Sequence, residues 1–324
     1  MKKAASQTAP RSRPRAAKPA PTGIPTLGAL HPAASRWIAA LIRMTAPHPA
    51  MTQILDVIER MQDNPFRTNY VLLGEPGTGK EGLGRALHHL SSPGTPLVRF
   101  DVTGFPEEAA LARLCGVGQQ SGAAEEADGG ALLIEEAAGM GPRVQAALLR
   151  LLKSGHNERL DAKPDARSKR GARRLRVGAI AMSDLDLMGE VRAGRFRHDL
   201  YYRLARIVLW LPPLRERPED IGPAAVWMGN RILGDAGLGL DLMTSDDFAR
   251  LPPSQKKSAV ELLPDAVREL EMHTWPGNLR ELEAVLERAL LLYRAGAALG
   301  AQEIRAALAV GATPNGPGAA NARG

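Results

Sequence analysis

The sequence predicts an α/β protein in which a parallel β-sheet carries helices on both faces and is followed by a small all-helical domain. Short apolar runs alternate with segments of helical periodicity from about residue 50 to residue 211, a pattern typical of parallel strands joined by helices. After Pro212-Pro213 the helical stretches continue without a convincing strand. The length of 324 residues suffices for one or two domains with a substantial core.

The individual elements can be assigned in chain order. Apolar residues at helical intervals predict a helix over 50–62, and the apolar run Tyr70–Leu73, which stops at Gly74, predicts a buried strand. Further helices are predicted at 80–91, 107–115 and 143–154, and further strands at 97–102, 131–134, 175–181 and 207–211. In the second domain the clearest helical stretches are 264–273, 278–294 and 301–310.

These patterns divide the chain into five segments. The first, rich in Ala, Pro, Arg and Lys, has too little apolar surface to offset the entropy of ordering and is expected to be disordered. The boundaries are 1–23 for this basic tail, 24–47 for a linker with a short helix at 33–44, 48–213 for the α/β domain, 214–310 for the helical domain and 311–324 for a flexible tail.

The net charge of +7 favours an acidic partner, and it is concentrated in two clusters. Residues 1–20 contain six Lys or Arg and no acid, and residues 163–176 contain seven against the single acid Asp165. Such clusters can contact nucleic-acid backbones without sequence specificity, because this needs charge but little geometry. A solubilising tail and a solvated insert explain the same residues equally well.

Several protein classes are excluded by composition. The single cysteine, Cys115, rules out a disulfide within the chain, fits a reducing compartment, and is expected to be a buried apolar residue. A run of about 18 apolar residues is not found, so no membrane span is expected. The basic N-terminus lacks the apolar stretch of a secretory signal, and we therefore expect a cytoplasmic protein.

A glycine-rich loop between a predicted strand and a predicted helix matches the phosphate-binding pattern G-x-x-x-x-G-K. Its backbone N–H groups and its lysine are suited to phosphate oxygens, and the helix that follows offers its N-terminal dipole. Where Ser or Thr usually follows the lysine as a Mg²⁺ ligand, this chain has glutamate. The predicted nucleotide-binding residues are Gly74, Glu75, Pro76, Gly77, Thr78, Gly79, Lys80 and Glu81.

A pair of acidic residues, Glu135-Glu136, ends the predicted strand 131–134. Carboxylates at the C-terminal end of a central strand can hold Mg²⁺ and orient an attacking water. Taken alone, the pair is explained as well by two solvated glutamates at the end of a strand.

Four sequence blocks together resemble the AAA+ domain of bacterial sigma-54-dependent transcription activators. The blocks are GEPGTGKE at 74–81, GRFRHDLYYRL at 194–204, LPPLRERPEDI at 211–221 and WPGNLREL at 275–282. They occur in the family's order at about its spacing, and the resemblance covers roughly residues 48–295. It implies a P-loop AAA+ sheet followed by a helical lid domain.

The resemblance also implies roles for individual residues. ATP would be held by the phosphate loop and by the lid residue Arg280, with Glu135 and Glu136 at the Mg²⁺ and water-activating positions. Arg197 and Arg203 would reach the γ-phosphate bound to a neighbouring subunit of a hexamer-like ring. Without the resemblance, surface ion pairs of these arginines with Asp199 or Glu216 are the simpler interpretation.

The chain departs from the family pattern at several positions. The GAFTGA loop that contacts sigma-54 is replaced by the short segment from Val117 to Glu125, and the first acid of the Asp-Glu pair is Glu135. An ungapped comparison puts Met182 at the sensor I asparagine, or Ser183 if the alignment shifts by one residue. Asp101 falls at the asparagine that restrains the catalytic glutamate. Residues 1–47 are too short for a receiver domain, and 295–324 too short for a helix-turn-helix.

The sequence therefore predicts an ATP-binding AAA+ transcription regulator with weak ATP hydrolysis and no activation of sigma-54 by itself. Its partners would be copies of itself, the transcription machinery or another AAA+ activator. Two alternatives remain open at this point: a nucleotide-dependent scaffold without turnover, and a protein that binds nucleic-acid backbones through its basic clusters.

Overall fold

The computed structural model describes residues 48–62, 68–160, 174–293 and 298–311. The predicted basic tail, the linker with its short helix at 33–44, and the greater part of both the second basic cluster and the flexible tail lie outside the described residues.

In the described ranges, five strands form one parallel sheet with the order β2-β3-β4-β1-β5. Its inner strands are nearly continuous apolar runs, as expected for a sheet with both faces covered. The strands are β1 Tyr70–Leu73, β2 Leu97–Asp101, β3 Ala131–Glu135, β4 Gly178–Ser183 and β5 Ile207–Trp210. Four of them end close to their predicted limits, and β4 begins three residues later than predicted.

Helices cover both faces of this sheet. On one face α1 and α2 pack on side chains that include Leu72, Leu133 and Met182, and the other face packs on the remaining helices of the domain. The helices are α1 Pro49–Gln62, α2 Lys80–Ser91, α3 Glu107–Cys115, α4 Ala123–Glu126, α5 Pro142–Ser154, α6 Leu187–Arg192 and α7 His198–Leu204. Helices α4, α6 and α7 are not predicted from the sequence, because four to seven residues are too few to show a helical period.

The second domain is helical, as predicted, apart from a short parallel sheet in its described part. The strands β6 Asp241–Thr244 and β7 Ala259–Leu262 correct the expectation of an all-helical domain. Each has only four residues; β6 buries Leu242 alone, and β7 buries Ala259, Val260 and Leu262, so neither shows a clear alternation. The helices are α8 Ile221–Asp235, α9 Ser245–Arg250, α10 Pro264–Met272, α11 Asn278–Leu292 and α12 Ala301–Gly311.

The architecture brings three chain segments to one edge of the main sheet. The carboxyl ends of the parallel strands β1, β3 and β4 meet there, so the segments that follow each strand become neighbours. The core of the second domain begins at Leu214, directly after this edge, and the start of α11 contacts the loop that follows β1. None of the described helices is long and apolar enough to cross a membrane.

Candidate functional site

The loop between β1 and α2 has the backbone conformation that its glycines allow. Gly77 and Gly79 have φ angles of 80° and 104°, in the left-handed region where a side chain is strained. A Cβ atom on Gly77 would also lie 2.2 Å from the carbonyl oxygen of Gly277, so a larger residue cannot be accommodated there. Helix α2 begins at Lys80 and directs its N-terminal N–H groups at this loop.

Lys80 is buried inside the loop. Its Nζ donates to the carbonyl oxygen of Gly74 and, at 3.0 Å, to that of Glu75. Burial lowers the pKa of the ammonium group, while the nearby carboxylates of Glu136 and Asp184 oppose this shift. Its positive charge is therefore held where acidic groups from the ends of β3 and β4 approach.

Two acidic residues that follow neighbouring strands, Glu136 and Asp184, lie near Lys80 and raise its pKa. Glu136 follows β3 with a left-handed backbone, φ 47° and ψ 54°, and Asp184 follows β4. Burial raises the pKa of Glu136, the neighbouring Asp184 carboxylate raises it further, and Lys80 and the backbone N–H of Asp184 oppose this shift. Asp184 was not among the predicted site residues, although it follows a central strand of the predicted sheet.

Glu135 has a different partner. Its carboxylate pairs with Arg99 of β2, with Nη2 2.7 Å from Oε2, and the side chain is 17% exposed. The two predicted acidic residues are thus held by separate groups, one by Arg99 and one by Asp184. Among the described residues no group of three or more His, Cys, Asp or Glu side chains could hold a metal ion by themselves.

Two other positions depart from the family pattern: the sensor I position, at Met182 or Ser183, and Asp101. Their side chains are engaged by groups other than Lys80. Met182 lies in the core between the sheet and α2, 4% exposed, and the Ser183 hydroxyl donates to the carbonyl of Leu185 at 2.8 Å. Asp101 accepts hydrogen bonds from the backbone N–H and the hydroxyl of Thr103, which hold its pKa below the usual range. Of the residues at the end of β4, it is Asp184 that reaches the loop.

The start of α11 docks on the tip of the loop. Asn278 is fully buried, with φ 52°; its Oδ1 accepts from the N–H of Leu214 at 2.7 Å, and its Nδ2 donates to the carbonyl of Pro76 at 3.0 Å. The N–H of Leu279 donates to the carbonyl of Gly77 at 3.0 Å. The lid domain is therefore bonded directly to the phosphate loop, a contact that the sequence analysis did not predict.

Charged side chains surround this junction. Arg215 forms two hydrogen bonds with Glu75, of 2.8 and 2.6 Å, and lowers the pKa of that carboxyl group. The guanidinium group of Arg280 is close enough to Lys80 to lower its pKa. Glu81, by contrast, pairs with Arg85 at 2.7 Å on the exposed side of α2.

A buried ion pair joins the LPPLRERPEDI block to the same loop. The Arg217 side chain is 2% exposed, lies 3.4 Å from the Asp220 carboxylate and donates to the carbonyl of Thr78 at 3.2 Å. Thr78 in turn donates its hydroxyl hydrogen to the carbonyl of Glu75 at 2.8 Å. This block therefore packs against the loop and supports its conformation.

The two predicted arginine fingers lie on and before α7 and have different environments. Arg197 forms a surface ion pair with Asp199, with N–O distances of 3.0 and 2.9 Å, and its side chain is 48% exposed. Arg203 donates to the carbonyl of Leu152, near the C-terminus of α5, at 3.1 and 2.7 Å. Arg197 thus has the ion pair that the simpler interpretation expects, and Arg203 caps a helix.

The chain matches known families over most of its length. Residues 44–210 match the family described as the Sigma-54 interaction domain, and residues 243–320 match the AAA+ ATPase lid domain.

The curated relatives that this chain matches are described as regulatory proteins. The Nif-specific regulatory protein of Klebsiella pneumoniae is 36% identical over 267 residues, covering 79% of this chain and 45% of that protein. The anaerobic nitric oxide reductase transcription regulator NorR of Salmonella paratyphi C is 37% identical over 258 residues, covering 76% and 45%. The chain spans about half the length of the curated relatives it matches.

Solved structures of NtrX from Brucella abortus have the same fold. The complex of NtrX with ADP aligns with a TM-score of 0.67 at 28% identity, covering 88% of this chain and 59% of that one. The complex with ATP aligns with the same TM-score at 27% identity, covering 89% and 60%.

Proposed function

The chain belongs to the Sigma-54 interaction domain family of AAA+ proteins, and on this basis we propose that it binds ATP at the loop Gly74–Lys80 as the nucleotide-dependent module of a transcription regulator. The observation that carries the proposal is the glycine-rich loop itself, in which Lys80 is buried against the carbonyls of Gly74 and Glu75 and on which Leu279 and Arg280 of the lid pack. The alignment with NtrX, whose structures were determined with ADP and with ATP, supports the same ligand class.

The chemical groups at the loop fit a nucleoside triphosphate. The backbone N–H groups at the start of α2, the Lys80 ammonium and the Arg280 guanidinium supply donors and positive charge for phosphate oxygens. Mg²⁺, when bound with the nucleotide, would neutralise charge on those oxygens. Glu136 and Asp184, together with Glu75 of the loop, are the carboxylates whose charges reach Lys80, whereas Glu135 would first have to leave Arg99.

Nucleotide binding can be tested with one substitution and a matched control. Lys80→Ala should weaken binding of a fluorescent ATP analogue by about tenfold or more, because a hydrogen bond to a charged group contributes about 1.5–3 kcal/mol. Lys153→Ala removes an equivalent charge from the exposed end of α5 and should leave the affinity unchanged. Equal affinities of the wild type and the Lys80 variant would contradict the proposal.

We propose slow hydrolysis, with Glu136 as the group that activates water and Glu135 as a Mg²⁺ ligand only after Arg99 has moved. A scaffold that binds ATP without turnover is the second candidate, and it is favoured by the engagement of Glu135 with Arg99 and of Glu136 with Asp184. Steady-state phosphate release, with Lys80→Ala as background, separates the two. Release at the background rate would favour the scaffold.

We further propose that this chain does not activate sigma-54 promoters by itself. In place of a projecting loop, Val117 and Gln120 pair in a tight hairpin, and Arg159 holds it through the carbonyl of Gly118 at 2.7 Å. Val117 is the apolar side chain that this hairpin exposes, and an aromatic anchor is not present in its sequence. Open-complex formation by sigma-54 polymerase that depends on Lys80 would overturn this part of the proposal.

A further inference from the structure

Strand β2 forms one outer edge of the main sheet, next to the hairpin that begins at Val117. We infer that this edge and the groove beside it bind an extended segment of a partner protein, in which an Asp or Glu lies two positions from an apolar residue. The segment would join the sheet as a further strand. The inference goes beyond the proposed function, since it uses no part of the nucleotide site.

The pairing of β2 with β3 leaves the backbone of Arg99 directed outwards. The N–H of Ala131 in β3 donates to the carbonyl of Pro96 at 3.0 Å. Because bonded residues alternate along a strand, Val98 and Phe100 also direct their backbone groups towards β3. The N–H and carbonyl of Arg99 then face the other way, and no described segment forms a hydrogen bond with them. An edge of this kind can pair with another extended chain.

A groove of about 430 Å³ lies beside this edge. Its lining includes the three consecutive residues 98–100 of β2. Since consecutive side chains of a strand point to opposite faces, the groove runs along the edge of the strand and not under one face. Ala112 of α3, Val117 of the hairpin and Ala123 of α4 add apolar surface to its walls. The groove therefore offers both backbone hydrogen bonds and a place for an apolar side chain.

The hairpin is a fixed wall of the groove. Its backbone groups are used internally, with Val117 N–H donating to Gln120 at 3.1 Å and Gln120 N–H donating to Val117 at 2.9 Å. Arg159 holds it in place through the carbonyl of Gly118 at 2.7 Å and the carboxylate of Glu125 at 2.8 Å. The hairpin thus cannot extend β2 itself, and the groove exists before a partner binds, which lowers the cost of binding.

The charges at the groove favour a segment with a single carboxylate. The exposed guanidinium group of Arg113 lies 4.4 Å from the centroid of the Phe105 ring, and stacking of this kind leaves the N–H donors of an arginine available. The other lining arginine, Arg99, is already paired with Glu135. Glu126 also lines the groove and opposes further negative charge. Apolar walls with one available cation suit an acidic peptide better than a polyanion.

The inference is tested by fluorescence polarisation with the whole chain and a fluorescein-labelled peptide, Ser-Thr-Val-Thr-Glu-Thr-Ser, in which Val and Glu share one face of a strand. The dissociation constant should be below about 1 mM. Replacing Glu with Lys in the peptide should weaken binding by about fivefold, because the pair with Arg113 is lost. An added strand uses the N–H of every second residue, so N-methylation at one of two neighbouring central positions should weaken binding by about tenfold and at the other by less than about twofold.

Two substitutions on the protein identify the cation. Arg113→Gln, in the last turn of α3, should reduce the preference for Glu over Lys in the peptide to within about twofold. Arg192→Gln removes an exposed arginine from the last turn of α6 and should keep the full preference.

Five outcomes would overturn the inference. Three concern the peptide: no binding at about 1 mM, an unchanged preference in Arg113→Gln, or equal effects of N-methylation at the two positions. Displacement of the peptide by a short single-stranded DNA would assign the groove to a nucleic-acid backbone instead. A dimer of the free protein that dissociates in sedimentation velocity when the peptide is added would assign the edge to a second copy of this chain.

Discussion

The buried amide of Asn278, at the start of the lid helix α11, donates a hydrogen bond of 3.0 Å to the carbonyl of Pro76 in the phosphate loop. The same side chain accepts from the N–H of Leu214, where the core of the second domain begins. One residue therefore connects the phosphate loop with two segments of the lid domain.

Two substitutions of Asn278 should separate the contribution of its hydrogen bonds to stability from the contribution of its backbone conformation. Asn278→Gly keeps the left-handed conformation but leaves buried polar groups unpaired, and we expect a loss of about 1–3 kcal/mol in the free energy of unfolding. Asn278→Ala loses the same bonds and adds strain at φ 52°, so it should be less stable than the glycine variant. Urea unfolding of the wild type and the two variants measures the contributions of the hydrogen bonds and of the strain. Equal stability of Asn278→Gly and the wild type would show that the hydrogen bonds of the Asn278 amide do not stabilise the protein.

Met182→Asn places the family's sensor residue at the position suggested by ungapped comparison, but the structure predicts that it will damage the protein. The methionine is 4% exposed in the core between the sheet and α2, so an amide there loses apolar contacts and has to be buried. We expect a loss of about 3 kcal/mol in the free energy of unfolding, without a gain in turnover. The exposed Asp184→Asn should change stability by no more than about 0.5 kcal/mol. A stable and faster Met182→Asn variant would show that this position faces the nucleotide.

Glu136→Gln should alter the pH dependence of stability. The pKa of Glu136 is raised in the folded protein, because burial and the contact with Asp184 disfavour its ionised form. As the pH rises past the unfolded-state pKa, the unfolded chain releases its proton first, and the stability of the wild type falls relative to that of a neutral variant. Urea unfolding should therefore show Glu136→Gln gaining on the wild type over the pH range that begins near the usual glutamate pKa of about 4.3 and extends upwards, relative to its value at low pH. A stability difference that is constant across this range would mean that the pKa is not shifted.

Arg197 and Arg203 should give different results, since only one of them is held by the fold. If Arg197 contacts ATP on a neighbouring copy, Arg197→Ala should weaken the oligomer that sedimentation velocity detects in the presence of an ATP analogue. Arg195→Ala, which breaks the equivalent surface pair with Glu190, is the matched control and should assemble normally.

Arg203→Ala should in addition lower the free energy of unfolding by about 1 kcal/mol, because it uncaps the carbonyl of Leu152 near the end of α5. A wild type that stays monomeric with the analogue at micromolar concentration would count against the ring and against both fingers.

The sequence by itself determined the parts of this protein that depend on local patterns. A strand, a glycine-rich loop and a helix are encoded within a dozen consecutive residues, so the loop ending at Lys80 and the order of the longer elements could be read directly. The four blocks shared with sigma-54 activators are local in the same sense, and the family membership that they predict is confirmed by the matches over 44–210 and 243–320.

Only the tertiary structure decided which distant residues meet at the loop. Asn278 and Pro76 are 202 positions apart, and Glu136 meets Asp184 because two neighbouring strands end at the same edge. The ungapped sequence comparison placed the sensor I position at Met182, whose side chain lies in the core. A sequence comparison does not show which side chains enter the core or where a strand ends. The direction of a side chain at the end of a strand depends on the register with the next strand, a property of paired backbones that is not encoded in either segment alone.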